Sequence, residues 1–346
     1  MKSATGDTIT ITPKAIIAEL SGRRNVVSSA AHNGGSRGDL THLYNYSYAH
    51  SPLVQHKIVA KMESPNLQNH YARLTQELGL PVQTTAGMGT AAILEDAALL
   101  SSSFQGIHLS AIVTAGIDHN AARAGDPPSY DEFTGDNLPA PGTINIMLFI
   151  DAHLPAGTAT QAIITATEAK SAALQELQAG SLYSSGIATG SGTDTIMVVT
   201  RPDASDTLYD AGLHSRLGSA IGQLVKQAVK QALAHHPDGM TPTRQASLLW
   251  QGFRYGITPD ALSSEYQELF SNIPDSEKLE RILTDPGVFA HTAPLLHLQD
   301  QYAWGMLSEK QYSSVYCQYL HIICQAYQLP ITDNLLSALA HLTHRW

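Results

Sequence analysis

Residues 142–200 read GTINIMLFIDAHLPAGTATQAIITATEAKSAALQELQAGSLYSSGIATGSGTDTIMVVT. The run from Ile144 to Ile150 is nearly all apolar and is bounded by Pro141-Gly142 and by Asp151, which predicts a buried strand. Strand side chains alternate between faces, so Thr143 and Asn145 project together from one face at the strand's mouth. Two readings of that polar pair stand: Thr143 caps backbone groups at a strand-entry turn, or the pair has a chemical task. Beyond Pro155 and Gly157, Ala159, Ala162, Ala166, Ala169, Ala173 and Leu177 recur at steps of three or four, one stripe of a helix. The alanines make that stripe thin, so the helix can lie close on a sheet. Glu168 and Lys170, two apart, point in different directions and form no helical pair; Glu168 is either helix surface or is aimed at the strand mouth. Gly180 is the expected helix end. Gly186, Gly190 and Gly192 then surround Thr189, Ser191, Thr193 and Asp194, ahead of a second apolar strand, Ile196 to Val199. The glycine spacing fits neither the phosphate loop nor the dinucleotide fingerprint, which rejects nucleotide binding from this stretch.

The 346-residue chain is long enough for a large core plus an appended domain, and its 14% charged residues argue against disorder. A formal net charge of −10 disfavours a nucleic-acid partner, since no basic cluster counters it. Cys317 and Cys324 lie seven apart in a predicted helix, about 10 Å along its axis, too far for a disulfide. They read as buried thiols of a reducing compartment. No apolar run approaches the roughly 18 residues of a membrane span and no signal-peptide core opens the chain, so no membrane partner and a cytoplasmic location are expected.

Upstream, Ile9, Ile11 and Ile16-Ile17 predict short edge strands. Residues 22–30 read as a strand entering an irregular loop, His32-Asn33-Gly34-Gly35, that leads to His42. Arg23, Arg24 and His42 are candidates to hold an anionic or carbonyl-rich ligand, or are ordinary surface charge. Helices are predicted from Asn66 to Gly79 and from Ala91 to Leu100. A strand follows at Ile107–Thr114, with Ile107, Leu109, Ala111 and Val113 on one face. It runs into Thr114-Ala115-Gly116-Ile117-Asp118-His119-Asn120, the kind of strand end where such folds place binding groups. Backbone N–H groups around Gly116 are free to face an oxyanion. A helix is predicted over Ser219–His235, broken by His235-His236-Pro237-Asp238-Gly239. From about residue 241 strand-like alternation is absent, and helices are predicted over Arg244–Phe253, Ser263–Leu269, Glu277–Leu283, Leu295–Met306, Glu309–Tyr327 and Asp333–His344.

Five ordered blocks, GRRNVVSSAAHNGG at 22–35, TAGIDHNAARAGDP at 114–127, GTINIMLFIDAHL at 142–154, TATEAKSAALQEL at 165–177 and ATGSGTDTIMVV at 188–199, resemble the adenosylcobinamide amidohydrolase family over roughly residues 15–235. The expected organisation is therefore an α/β (α+β) layered catalytic domain with a mixed sheet over residues 1–240 and an all-α C-terminal extension over 241–346. The resemblance implies corrinoid salvage: cleavage of the amide between the aminopropanol arm and the corrin ring, giving adenosylcobyric acid and aminopropanol, with the corrinoid as substrate and no cofactor. GTINIMLFIDA also resembles, more distantly, the nucleophile strand of the ornithine acetyltransferase and β-aminopeptidase superfamily, in which the chain cuts itself before the hydroxyl residue. Carried over, Thr143 would be the nucleophile and Gly142–Thr143 the bond cut. Backbone groups at Thr114–Gly116 are then candidates for the oxyanion hole, with Asn145 or Asn120 as side-chain donors. Glu168 and Asp194 are candidates to orient the ammonium or the substrate's hydroxyl. Arg23, Arg24, His42, Thr114, Gly116, Asn120, Arg123, Thr189 and Thr193 are candidate substrate-binding residues.

Two rival readings stand beside this one. One is a metal-dependent amidohydrolase, for which sixteen histidines supply no recognised ligand spacing. The other is a corrinoid-binding protein without catalysis, with His32, His42 or His119 as a cobalt ligand. Asp151-Ala152-His153 comes near a cobalamin-ligand signature, but its glycine falls one place late. The C-terminal helices are left open between homo-oligomer formation and a lid.

Overall fold

The Ile144–Ile150 run becomes β9 (Thr143–Ile150), and all eight of its residues are buried. A strand buried on both faces needs apolar side chains on both, which is why the run does not alternate. In a six-stranded sheet it lies between β8 (Ile107–Gly116), antiparallel, and β10 (Thr195–Thr200), parallel. Parallel neighbours require a crossover, supplied by a helix over Ala156–Glu176. The computed structural model describes residues 1–49, 67–131, 133–134, 142–235 and 239–346. Asn66, Pro141 and the expected helix break at His236-Pro237-Asp238 lie outside the described residues.

The odd residues of β9 face a second sheet of four strands, β1 (Thr8–Ile11), β2 (Ala15–Glu19), β5 (His42–Ser47) and β6 (Thr85–Thr90), in that order. Met147 and Phe149 share one apolar cluster with Ile16, Leu43 and Met88 of that sheet. Tyr44, on the other face of β5, and Tyr48, just beyond the strand, meet helix α1 (Leu67–Glu77), the Tyr44 hydroxyl donating to the Tyr71 carbonyl at 3.0 Å. Helices α2 (Ala156–Glu176) and α3 (Arg216–His235) pack against each other and onto the far face of the six-stranded sheet. The order of layers is helix, sheet, sheet, helices, an α+β fold with a mixed sheet. The remaining strands, β3 (Asn25–Ser28), β4 (Gly35–Arg37) and β7 (Ala98–Phe104), complete the six-stranded sheet, ordered β4-β3-β10-β9-β8-β7.

Several expectations are corrected. The helix read over Ala91–Leu100 is a single 3₁₀ turn at Leu94–Asp96 followed by β7, which pairs with β8 from Ala98↔Val113 to Phe104↔Ile107. Its leucines and alanines favour a helix locally, but the hairpin with β8 satisfies the backbone instead. Helix α2 ends before Gly180: Gln178 takes the left-handed conformation (φ 51°). Gly180 serves close packing, since a Cβ there would overlap Phe253 and Arg254. Of the two thiols, Cys324 is buried and Cys317 exposed.

The described residues divide into two compact units: Met1–Leu177 with Ser181–Tyr183 and Ile187–Thr241, and Pro242–Trp346 with Gln178–Gly180 and Ser184–Gly186. The second unit is helical. The stretch read as one helix over Arg244–Phe253 is instead α4 (Pro242–Gln245), α5 (Leu248–Gln251) and a 3₁₀ turn. There follow α6 (Pro259–Phe270), α7 (Ser276–Thr284), α8 (Pro286–Ala303), α9 (Glu309–Ala326) and α10 (Leu335–Arg345). Thr258, Asp285, Ser308 and Asn334 cap four of these helices by accepting from free N–H groups of the first turn. Inside this unit Arg254 pairs with Asp300, which also accepts from the Tyr255 hydroxyl at 2.8 Å. No described helix is long and apolar enough to cross a membrane.

Candidate active site

Strand register gathers the first group of polar residues. Thr114 stands opposite Asn145 and Gly116 opposite Thr143 across β8–β9, while Thr195 of β10 stands opposite Asn145 on the other side. Thr143 and Asn145 do share a face, as a period of two requires, and that face looks into the space between the sheets. The Asn145 amide nitrogen spends both its hydrogens, on Asn45 Oδ1 (2.9 Å) and the Gly89 carbonyl (2.8 Å). That leaves no Asn145 hydrogen turned toward an oxyanion; the residue turns its oxygen toward the Thr143 hydroxyl at 3.3 Å. Asn45 in turn donates to the Thr114 hydroxyl at 2.8 Å. These buried amides join the two sheets directly behind Thr143.

The bond before Thr143 is held from outside the strand. Asn120, fully buried just beyond β8, donates from Nδ2 to the Gly142 carbonyl at 2.5 Å, and the Thr193 hydroxyl donates to the same oxygen at 2.8 Å. The Thr143 hydroxyl donates to the Thr193 carbonyl at 3.0 Å. One turn ahead of β10 thus supplies a donor to the Gly142 oxygen and an acceptor to the Thr143 hydroxyl. Gly142 has φ 149°, and a Cβ there would strike the Asn120 side chain and come within 2.9 Å of the Gly116 carbonyl. Only glycine fits this peptide into the site. Among the described residues Asn120 Oδ1 has no partner.

Asp194 closes the turn. Its carboxylate accepts from the Ile144 N–H (2.9 Å), from the Ser191 hydroxyl (2.5 Å) and from Lys170 Nζ. Lys170 is buried, whereas Glu168 is exposed on the outer side of α2. The acid two residues before the lysine is turned to solvent, so Glu168 is not brought to the site. Lys170 was legible in principle: it lies four residues after Ala166 and three before Ala173, on the buried stripe. Ser191 and Asn45 carried no such signal.

The remaining candidates fall elsewhere. Arg123 and Thr189 brace the loop that carries Asn120: Thr189 Oγ1 accepts from the Ala124 N–H at 2.9 Å, and the Arg123 N–H donates to Asp126 at 2.7 Å. Arg24 is buried and committed to the fully buried Asp7 (2.9 Å) and the Thr5 carbonyl (2.7 Å), so it is a structural cation with no donor turned to a ligand in this group. Arg23 is exposed. His42 begins β5, its Nδ1 3.0 Å from the Thr41 hydroxyl, and shares no partner with Thr143. His32 lies buried beside β6, where burial pushes its imidazole below the ordinary 6.5, the Val82 carbonyl opposing this and Arg37 adding to it. Among the described residues no group of three or more His, Cys, Asp or Glu side chains is placed to hold a metal ion.

The family model for adenosylcobinamide amidohydrolase matches residues 1–240, which include every residue of this cluster. The chain belongs to the adenosylcobinamide amidohydrolase family. An uncharacterized protein of Methanocaldococcus jannaschii is 34% identical over 165 residues, which are 44% of this chain and 64% of that protein. The chain thus spans less than two thirds of that relative's length. Among solved structures, a Burkholderia β-aminopeptidase overlaps 68% of this chain and 81% of its own, at 11% identity and a TM-score of 0.33. The PH0078 protein of Pyrococcus horikoshii OT3 overlaps 74% and 94%, at 11% identity and a TM-score of 0.32.

Proposed function

We propose that this protein hydrolyses the amide joining the aminopropanol arm to the corrin ring of adenosylcobinamide, with Thr143 as nucleophile after the chain has cut itself at Gly142–Thr143. One observation carries the reading: the Gly142 carbonyl receives two side-chain donors while the hydroxyl of the next residue lies within the same cluster. An ordinary strand-entry carbonyl needs one backbone partner; two converging side-chain donors are what a developing oxyanion requires.

In the self-cutting step Thr143 Oγ1 attacks the Gly142 carbonyl carbon. The Gly142 oxygen becomes the oxyanion between Asn120 and Thr193. The C–N bond to Thr143 breaks, the hydroxyl proton ends on the departing nitrogen, and an ester remains. Water hydrolyses that ester, leaving a Gly142 carboxylate and a free Thr143 amine. An α-amino group ionises near about 8, so at neutral pH a usable fraction is free to act as base. With Gly142 withdrawn, Asn120 and Thr193 are released to receive the carbonyl oxygen of the substrate amide. Thr143 Oγ1 attacks that carbonyl carbon, its proton passes by way of the α-amine to the aminopropanol nitrogen, and the C–N bond breaks. Water then cleaves the acyl ester to give adenosylcobyric acid and restores the hydroxyl.

The test is incubation of purified wild type and Thr143→Ala with adenosylcobinamide, following aminopropanol release, alongside intact-mass analysis of each chain. Wild type should release aminopropanol and show two fragments meeting at Gly142–Thr143; the variant should do neither. A full-length, active Thr143→Ala protein would remove Thr143 from the chemistry. A spectral shift of the corrinoid without aminopropanol would mark a binder, and loss of activity on chelation a metal enzyme.

A further inference from the structure

We propose that Lys170 is a positioning residue for this hydrolytic centre, acting through Asp194 on the turn that serves both the scissile carbonyl and the attacking hydroxyl. The proposal rests on the amidohydrolase reading for its kinetic consequence, but its structural content stands separately.

Among the described residues Lys170 is the lysine of this site, on a helix whose other buried residues are alanine, threonine and Leu174. Its side chain is only 8% exposed, and its ammonium contacts the Asp194 carboxylate, itself 10% exposed. A buried lysine is costly unless paired, so its presence on an alanine stripe calls for a partner. What matters is what the partner does. Asp194 binds the Ile144 N–H, which fixes the peptide immediately after the nucleophile, and the Ser191 N–H and hydroxyl, which fold residues 191–194 into a closed turn. Thr193 sits inside that turn. Its hydroxyl reaches the Gly142 oxygen and its carbonyl receives the Thr143 hydroxyl, two opposed tasks from one residue that are met only while the turn keeps its shape.

The packing leaves no slack. A Cβ at Gly190 would overlap the Asp194 carboxylate and come within 2.7 Å of Lys170 Nζ, so the backbone lies directly against the ion pair. Without the ammonium, the carboxylate would keep its N–H and hydroxyl donors but lose the contact that holds it against α2. Among the described residues Lys170 bonds to neither the Gly142 carbonyl nor the Thr143 hydroxyl; it acts on both through Asp194 and the turn that carries Thr193.

The experiment uses the full chain as wild type, Lys170→Met, which keeps the length of the side chain, and Lys170→Arg, which keeps the charge. Hydrogen–deuterium exchange is read by mass spectrometry on peptides covering residues 143–150 and 190–196, and kcat and KM are measured for aminopropanol release. Lys170→Met should speed exchange in those two segments alone, lower kcat by about 100-fold through misplacement of the reacting groups and leave KM within about threefold. Lys170→Arg should restore most of both. Unchanged exchange in Lys170→Met overturns the proposal. So does exchange accelerated across β8, α2 and α3 alike, with kcat lost only in proportion to the unfolded fraction, because that is a merely structural lysine. Should wild type release no aminopropanol, the amidohydrolase reading fails on its own, and exchange in Lys170→Met still decides whether the clamp exists.

Discussion

Removing the two donors on the Gly142 oxygen one at a time should give unequal losses, and burial sets the order. Asn120 is fully buried and its amide lies 2.5 Å from the oxygen. Water cannot take its place, so Asn120→Ala forfeits a complete oxyanion donor, on the order of 3–4 kcal/mol of barrier. At about 1.36 kcal/mol per decade, that is a slowing of roughly 100- to 1000-fold. Thr193 donates across 2.8 Å but is exposed, so in Thr193→Val a water can donate in its stead. The expected loss is nearer tenfold, about 1.4 kcal/mol. The Thr193 backbone carbonyl, which receives the Thr143 hydroxyl, survives that substitution. The assay is an intact-mass time course of Gly142–Thr143 cleavage in freshly synthesised chain, with near-ultraviolet circular dichroism to confirm that each variant is folded. Aminopropanol release from already processed enzyme gives the second rate. A folded Asn120→Ala protein that cuts itself and its substrate at the wild-type pace would refute the oxyanion assignment. A Thr193→Val defect larger than that of Asn120→Ala would refute the argument from burial.

Two further outcomes follow from groups away from the nucleophile. Arg24→Met leaves the Asp7 carboxylate buried without its cation and should cost about 3–5 kcal/mol of stability, read as a lower urea midpoint, with KM for the corrinoid unchanged; a raised KM at full stability would return Arg24 to the substrate. The depressed His32 imidazole binds fewer protons folded than unfolded, so it contributes stability above the unfolded value that is lost as pH falls from 6.5 through its folded value. Urea midpoints of wild type and His32→Asn, compared between about pH 5 and about pH 8, should converge on the acid side; a constant difference across that range would show that His32 does not titrate with folding.

Much of this arrangement could be read along the chain, because local periodicity decides it. An unbroken apolar run flanked by glycine and an acid is a two-sided buried strand wherever it occurs, and a period of two puts Thr143 beside Asn145. The alanine spacing marks the helix, and Lys170 falls on the same buried stripe, four residues after Ala166 and three before Ala173. Where local preference and pairing disagreed, as over Ala98–Leu100 at the end of the helix expected from Ala91, the hairpin partner prevailed and those residues form a strand.

What no local pattern could contain is the meeting at the Gly142 carbonyl. Asn120 comes from a loop 22 residues earlier and Thr193 from a turn 51 residues later; they converge because β8 and β10 flank β9 in fixed register. Tertiary structure likewise reassigned roles by occupying hydrogen-bonding capacity. Asn145 has the chemistry of an oxyanion donor, but the second sheet takes both its hydrogens, and Arg24 has that of an anion receptor, but the N-terminal Asp7 has claimed it. The amino-acid order determines which groups each strand and helix can present; which of those groups are still free to act is settled only when the layers close and each buried donor has found its acceptor.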